Sequence, residues 1–151
     1  MFQYNKNLKN LKALLEKQGR VLDTSQCTTL NSFINQSEIT HLGVIDARNA
    51  TDITYAFRRS KIKYIEKFII SEKVTSHTNA FQNDYDLEHV IIEGVIAFNK
   101  FQVVNCTRLD RESLLSIINV LKDYSTDTSG TAWVCSLGTA NLGKLTDIEK
   151  A

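Results

Sequence analysis

Residues 40–71 read THLGVIDARNATDITYAFRRSKIKYIEKFIIS and carry the clearest structural signals in the chain. The mostly apolar run from His41 to Asp46 predicts a short buried strand. A capping-box-like start at 49–52 predicts a helix over 50–60. Apolar and basic residues then alternate over 61–71, which predicts a half-exposed strand. The stretch therefore predicts a strand, helix, strand unit.

The periodicity on both sides of this unit predicts further helices and strands. Apolar residues recur at helical spacing near the N-terminus and again in the last third of the chain. No internal repeat is evident. The predicted elements are helices over 7–18 and 26–36, a polar loop over 72–87, a hairpin of 90–98 with 101–105, a largely buried helix over 111–124, a strand over 131–137 and a short C-terminal tail.

These elements predict one globular domain over residues 1–151 with an α/β or α+β fold. Two N-terminal helices, within about 7–36, precede a mixed body at about 40–137. We expect a sandwich in which helices pack on a mixed sheet of about five strands. The length of 151 residues and the hydrophobic content of 42% are those of an average soluble domain.

The cysteines and the apolar segments exclude several protein classes. The chain has three cysteines and no CxxC spacing, so neither a disulfide framework nor a structural zinc site is predicted. The longest apolar stretch, 90–98, is too short to cross a bilayer. We therefore expect a cytoplasmic protein with no metal, no cofactor and no membrane contact.

The charges are unevenly distributed, although the net charge is only +1. Residues 1–73 hold twelve Lys and Arg against seven Asp and Glu, whereas residues 74–151 hold six against ten. An acidic segment of this kind accelerates association with a cationic surface. Its candidate binding residues for a basic partner protein are Asp84, Asp86, Glu88 and Glu93.

A small-molecule site is the main alternative suggested by the sequence. Asp46 and Arg48 follow the first predicted strand, at the edge where open α/β sheets place ligands. His89 closes the polar loop from His77 to His89 and could transfer a proton. Convergence of Asp46, His89 and Glu93 in one pocket would favour an enzyme over a binding protein.

Nucleic-acid binding is a second alternative, carried by the basic segment 57–73. Aromatic and basic residues interleave there, as in surfaces that track phosphates while rings stack on bases. The near-neutral total charge is lower than that of typical nucleic-acid-binding domains.

Two shorter patterns point to chemistry but remain incomplete. Gly138 to Lys144 matches the glycine and lysine positions of a phosphate-binding loop, but Leu145 replaces the required hydroxyl. Cys106 lies beside Arg108 after a predicted strand. It is therefore expected to be the most accessible thiol, with a lowered pKa if the two side chains meet.

No motif establishes an enzymatic activity, so the functional expectation rests on elimination. We expect a non-catalytic protein-binding module that inhibits or regulates a partner protein, as immunity proteins and antitoxins do. The small enzyme and the nucleic-acid-binding domain stay as alternatives.

Overall fold

The structure is a computed structural model that describes residues 1–126, 128 and 133–150, and it has an α+β fold. Within those residues it contains five strands and four helices. Their bounds are α1 Leu11–Lys17, β1 His41–Asp46, β2 Tyr64–Ile70, β3 His89–Gly94, β4 Phe101–Gln102, α2 Arg111–Asn119, β5 Cys135–Ser136, α3 Thr139–Leu142 and α4 Asp147–Lys150.

The strands form two parallel sheets in place of one mixed sheet in a sandwich. β1, β2 and β3 lie side by side in chain order, with Leu42 opposite Ile65 and Ile65 opposite Val90. β4 pairs with β5 in a separate two-stranded sheet. The predicted hairpin of 90–98 with 101–105 is wrong, because β3 pairs in parallel with β2. The approximate number of strands is confirmed.

A second parallel ladder joins the segments that precede the strands. The Leu30 N–H donates to the Asp52 carbonyl at 2.8 Å, and the Ile53 N–H donates to the Ser76 carbonyl at 2.8 Å. Thr29 is therefore in register with Asp52, and Asp52 with Ser76.

The two ladders together define three stacked turns, 29–46, 52–69 and 76–93, which we call the stack. Each turn repeats the path of the previous one 23 to 25 residues later. The chain therefore has an internal repeat, and the expectation of none is wrong. The sequence conceals the repeat because its spacing changes by one or two residues between turns.

The predicted helices over 26–36 and 50–60 are absent, because their backbone N–H groups bond to the next turn. The Ile34 N–H reaches the Ala56 carbonyl and the Phe57 N–H reaches the Ala80 carbonyl, so neither serves an intrahelical bond. Tertiary pairing overrides the helical periodicity here. Each turn also holds two non-glycine residues in the left-handed region, at equivalent positions. These are Ser32, Tyr55 and Asn79, then Gln36, Arg59 and Asn83.

The core lies inside the stack and is built from side chains at equivalent positions of the three turns. Phe57 is central, with its ring stacked on Phe81 at 4.9 Å and edge-on to Phe68 at 5.3 Å between centroids. All the buried apolar residues form one cluster. The repeated core positions are Ile34, Phe57 and Phe81; Ile39, Ile62 and Leu87; Leu42, Ile65 and Val90; and Ile45, Phe68 and Ile92.

A helix covers each end of the stack. α1 lies within the predicted range 7–18, is capped by the Asn10 side chain and packs against β1. α2 starts at the predicted N-cap Asp110 but ends at Asn119, short of the predicted 124. Leu114 and Ile117 of α2 are fully buried, whereas Leu115 and Ile118 are only partly buried against the core, so the helix is less buried than predicted. None of the helices among the described residues is long and apolar enough to span a membrane.

The left-handed positions yield a stability prediction at Arg59, whose φ is 53°. Its side chain is exposed and forms no hydrogen bond or ion pair with the described residues. Left-handed geometry costs a side-chain-bearing residue about 1–2 kcal/mol, and glycine recovers part of that cost. Arg59→Gly should therefore raise the free energy of unfolding in urea by about 0.5–1 kcal/mol.

A matched variant tests the backbone argument at the same position. Arg59→Val also removes the charge, but a β-branched residue fits the left-handed region poorly and should lower stability. A loss of stability in Arg59→Gly, or equal effects of the two variants, would contradict the left-handed geometry of this turn.

Candidate functional site

Three ring side chains line up on the outer face of β1, β2 and β3. His41, Tyr64 and His89 occupy the first position of the three strands and are in register. The rings of His41 and Tyr64 stack with centroids 6.1 Å apart, and those of Tyr64 and His89 stack at 4.7 Å with an interplanar angle of 9°. We call these three residues the aromatic ladder.

Asp110 fixes the end of the aromatic ladder nearest α2. Its Oδ2 lies 2.7 Å from Nδ1 of His89, and its Oδ1 accepts hydrogen bonds from the Ser113 N–H and hydroxyl at 2.8 and 2.6 Å. Partial burial would raise the pKa of Asp110, but the bonds from Ser113 and His89 outweigh it and hold this pKa below its usual value. The carboxylate is therefore ionised at neutral pH and orients the His89 ring.

Charged side chains of both signs border the aromatic ladder. Lys63, Glu88 and Arg108 join the ladder and Asp110 in lining a shallow cleft of about 660 Å³. Arg108 Nη1 lies 3.4 Å from a Glu88 carboxylate oxygen. Lys63 forms no ion pair with the described residues. The stacked rings provide a flat apolar surface, and the charged side chains beside them can form hydrogen bonds and ion pairs. This combination is typical of surfaces that bind proteins.

The four predicted acidic residues do not share one surface. Asp84 is fully buried. Asp86 and Glu88 lie at the margin of the cleft, where Arg108 contacts both at 3.4 Å. Glu93 lies at the opposite end of β3 and pairs with Lys67 at 2.7 Å. Only Asp86 and Glu88 remain close to the aromatic ladder.

Asp84 has an internal role in the stack. Its Oδ1 accepts bonds from the Ser60 N–H at 2.9 Å and the Ser60 hydroxyl at 3.2 Å, while its Oδ2 is buried without a partner in the described residues. Burial raises the pKa of Asp84 well above its usual value, and the bonds from Ser60 oppose this only in part. The ionised form therefore destabilises the fold.

This burial predicts a pH-dependent stability that Asp84→Asn removes. Between the ordinary carboxyl pKa near 4 and the raised folded pKa, only the unfolded chain loses its proton, so the stability of the native protein falls as pH rises. Asp84→Asn should gain about 1–3 kcal/mol at pH 7, the cost of an unsatisfied buried group, and much less at pH 4. Chemical unfolding at both values measures this difference.

Asp86→Asn is the matched control, because Asp86 is only partly buried and its ion pairs with Lys61 and Arg108 are long. It should change stability by less than about 1 kcal/mol at either pH. Equal gains from Asp84→Asn at pH 4 and pH 7 would show that the Asp84 carboxyl does not titrate as the structure requires.

The alternative ligand residues do not converge. Asp46 and Arg48 form a two-pronged ion pair at the C-terminal end of β1, with the closest contact at 2.6 Å. This pairing is the main cause of the lowered pKa of Asp46. Glu93 lies at the same end of the sheet, but His89 lies at the other end. Asp46, His89 and Glu93 therefore do not converge in one pocket, which was the arrangement expected of an enzyme.

The loop from His77 to His89 is the third turn of the stack. His77 stacks on Phe98 at 4.0 Å, and burial lowers its pKa. It lies at the start of the turn, whereas His89 lies in β3. His77 and His89 therefore lie in different parts of the fold and contact different residues.

The basic segment 57–73 does not form one track for nucleic acid. Phe57 is buried, the Arg58 guanidinium donates to Gln82 Oε1 at 2.8 Å, and Lys67 pairs with Glu93. Several cations of the segment are thus held by side chains of the neighbouring turns.

Cys106 is fully buried, so the expectation of an accessible thiol is wrong. Its Sγ lies 3.6 Å from the Phe81 carbonyl oxygen. Burial, with a smaller contribution from Asp84, raises the pKa of Cys106 well above its usual value, opposite to the predicted effect of Arg108. Cys27 and Cys135 are more exposed.

The incomplete phosphate-binding pattern at Gly138 to Lys144 has a structural use in the fold. The Lys144 ammonium donates to the carbonyls of Thr107 at 2.8 Å and Leu109 at 2.6 Å. It therefore ties the C-terminal segment to the chain before α2. No group of three or more His, Cys, Asp or Glu side chains in the described part of the chain could hold a metal ion.

Sequence reasoning did not place His41 or Arg108 in a binding site, and it assigned Lys63 and Tyr64 only to the basic segment 57–73. The signal that could have found them is the equivalent position of His41, Tyr64 and His89 in successive turns. No protein-family model, curated protein or solved structure matches this chain.

Proposed function

We propose that this chain is a non-catalytic protein-binding module whose partner docks on the aromatic ladder and its charged border. The observation that carries the proposal is the stacking of Tyr64 between His41 and His89 on the outer, partly exposed face of the sheet. Stacked turns suit this role because their strands present side chains in fixed rows.

The composition of the cleft supports protein recognition. Tyrosine and arginine are the residues that most often dominate the binding energy of interfaces, and Tyr64 and Arg108 both line the cleft. The Tyr64 hydroxyl forms no hydrogen bond with the described residues, which leaves a donor and an acceptor for a partner. Because the rings are held by a sheet, their ordering costs little entropy on binding.

The charges around the cleft define the partner further. The carboxylates of Asp86, Glu88 and Asp110 favour a basic patch on the partner protein. The Lys63 ammonium can form an ion pair with a carboxylate of that partner. Paired charges of both signs contribute more to specificity and association rate than to affinity. A module of this kind inhibits or regulates by covering a surface of its partner, in the manner of a cytoplasmic immunity protein or antitoxin, and it needs no cofactor.

The proposal predicts that Tyr64→Ala weakens partner binding by at least tenfold, the loss expected on truncating a central aromatic anchor. The partner is first captured by cross-linking, and its dissociation constant is then measured by calorimetry. Tyr85→Ala is the matched control, because Tyr85 is 58% exposed but lies outside the cleft.

The control separates a docking role from general loss of fold. Tyr64→Ala should retain a cooperative unfolding transition and Tyr85→Ala should bind as the native protein does. Native-like affinity of a folded Tyr64→Ala variant would contradict the proposed docking face.

A further inference from the structure

One edge of β1 pairs with no strand among the described residues, apart from an isolated bridge between His41 and Asn10. The Ala47 N–H donates to the Ile69 carbonyl at 2.8 Å, so within the continuous register from Val44 to Asp46 the residue that bonds to β2 is Ile45. Because backbone groups alternate in direction along a parallel strand, the N–H and C=O groups of Val44 and Asp46 point away from β2. The alternation does not extend to Leu42, because the register of β1 with β2 is interrupted at Gly43 and the Thr40 carbonyl accepts from the Tyr64 N–H at 3.1 Å.

The chain supplies partners to the two ends of this edge only. The Thr40 N–H donates to the Lys9 carbonyl at 2.6 Å. At the other end the Thr24 hydroxyl accepts from the Asp46 N–H at 2.8 Å and donates to the Asp46 carbonyl at 3.0 Å. Between them, the outward N–H and C=O of Val44 have no hydrogen-bond partner among the described residues.

The opposite edge of the same sheet is closed. The N–H groups of Val90 and Ile92 donate to the hydroxyls of Ser113 and Ser116 on α2, at 2.9 and 3.0 Å. α2 thus replaces a neighbouring strand, whereas α1 does not do so at Val44. An uncovered edge is a template for an added strand.

The uncovered edge opens into a groove of about 490 Å³ between α1, the chain at 20–25 and β1. Its apolar wall accommodates a hydrophobic side chain beside the backbone of an added strand. The apolar side chains that line it are Leu11, Leu15, Val21, Leu22, Leu42 and Val44.

The charged side chains of the groove are predominantly acidic. Four carboxylates stand against two cations, with Lys12 shared between Glu16 and Glu66 and with Asp46 paired to Arg48 outside the groove lining. The groove therefore keeps a small acidic excess. A segment with basic residues on both sides of its apolar residue complements this rim. The lining charges are Glu16, Asp23, Asp46 and Glu66 against Lys12 and Arg20.

We propose that an extended segment of a partner protein adds to β1 as a further strand at this edge. Its backbone bonds to the N–H and C=O of Val44, its central apolar side chain enters the groove, and flanking Lys or Arg residues meet the acidic rim. This site is separate from the aromatic ladder and goes beyond the proposed function. It recognises the backbone and one apolar side chain of an extended partner segment.

The test uses the full chain and the end-blocked peptide acetyl-Lys-Thr-Val-Thr-Lys-amide as the probe. Amide hydrogen exchange is followed by NMR at Val44 and, for comparison, at Ile92. In the free protein the Val44 amide should exchange at least tenfold faster than that of Ile92, because it has no acceptor. Saturating peptide should slow exchange at Val44 at least tenfold and leave Ile92 unchanged.

Matched peptides and variants isolate each part of the proposal. N-methylation of the central valine, or glutamate in place of both lysines, should weaken binding of the peptide at least tenfold. Val44→Pro removes the outward N–H but no hydrogen bond of the sheet, so this variant should fold and no longer bind the peptide. Val44→Thr keeps the N–H and should bind the peptide. Tyr64→Ala should bind the peptide as the native chain does, which separates this site from the docking face.

Three results would overturn the proposal. The first is protection of Val44 equal to that of Ile92 in the free protein. The second is protection that rises with protein concentration together with dimer formation, which would make a second copy the occupant. The third is the absence of saturable slowing at millimolar peptide.

Discussion

Parallel backbone pairing between successive turns is the interaction on which the rest of this structure depends. Successive turns exchange N–H to C=O hydrogen bonds along two ladders, one at the strands and one at the segments before them. No single turn can satisfy its own backbone or bury its own apolar face. α2 then covers the edge that the last turn leaves open, whereas α1 packs against β1 and leaves its edge open at Val44.

The same register that aligns the core also arranges the outer face. Since Leu42, Ile65 and Val90 stack inside, the residues that precede them stack outside and form the aromatic ladder. The register equally explains why Asp46 and His89 are far apart, because they belong to opposite ends of parallel strands. Asp84 is buried because its turn closes on Ser60 in the stack. Candidate residues that are close in sequence, such as Asp84 and Glu88, therefore lie in different environments of the stack.

The sequence revealed local elements but not the repeat that organises them. Alternation and caps located β1, β2, α1 and the start of α2, since these depend on nearby residues. The helices at 26–36 and 50–60 were wrongly predicted, because tight turns also bury every third or fourth residue. The outer site depends on contacts across 23 to 25 residues and was missed with the repeat. The repeat is visible in the sequence at only a few equivalent positions. These are the Ala-Phe pairs at 56–57 and 80–81, and Thr28, Thr51 and Thr75.

The register of the three strands is the central claim, and cross-strand NOEs measure it most directly. Parallel stacking predicts NOEs that connect Leu42 with Ile65 and Ile65 with Val90, together with contacts between the Tyr64 and His89 rings. A hairpin would instead give NOEs between 90–98 and 101–105 and none between Ile65 and Val90. The second pattern would contradict the stack, the aromatic ladder and the open edge of β1 together.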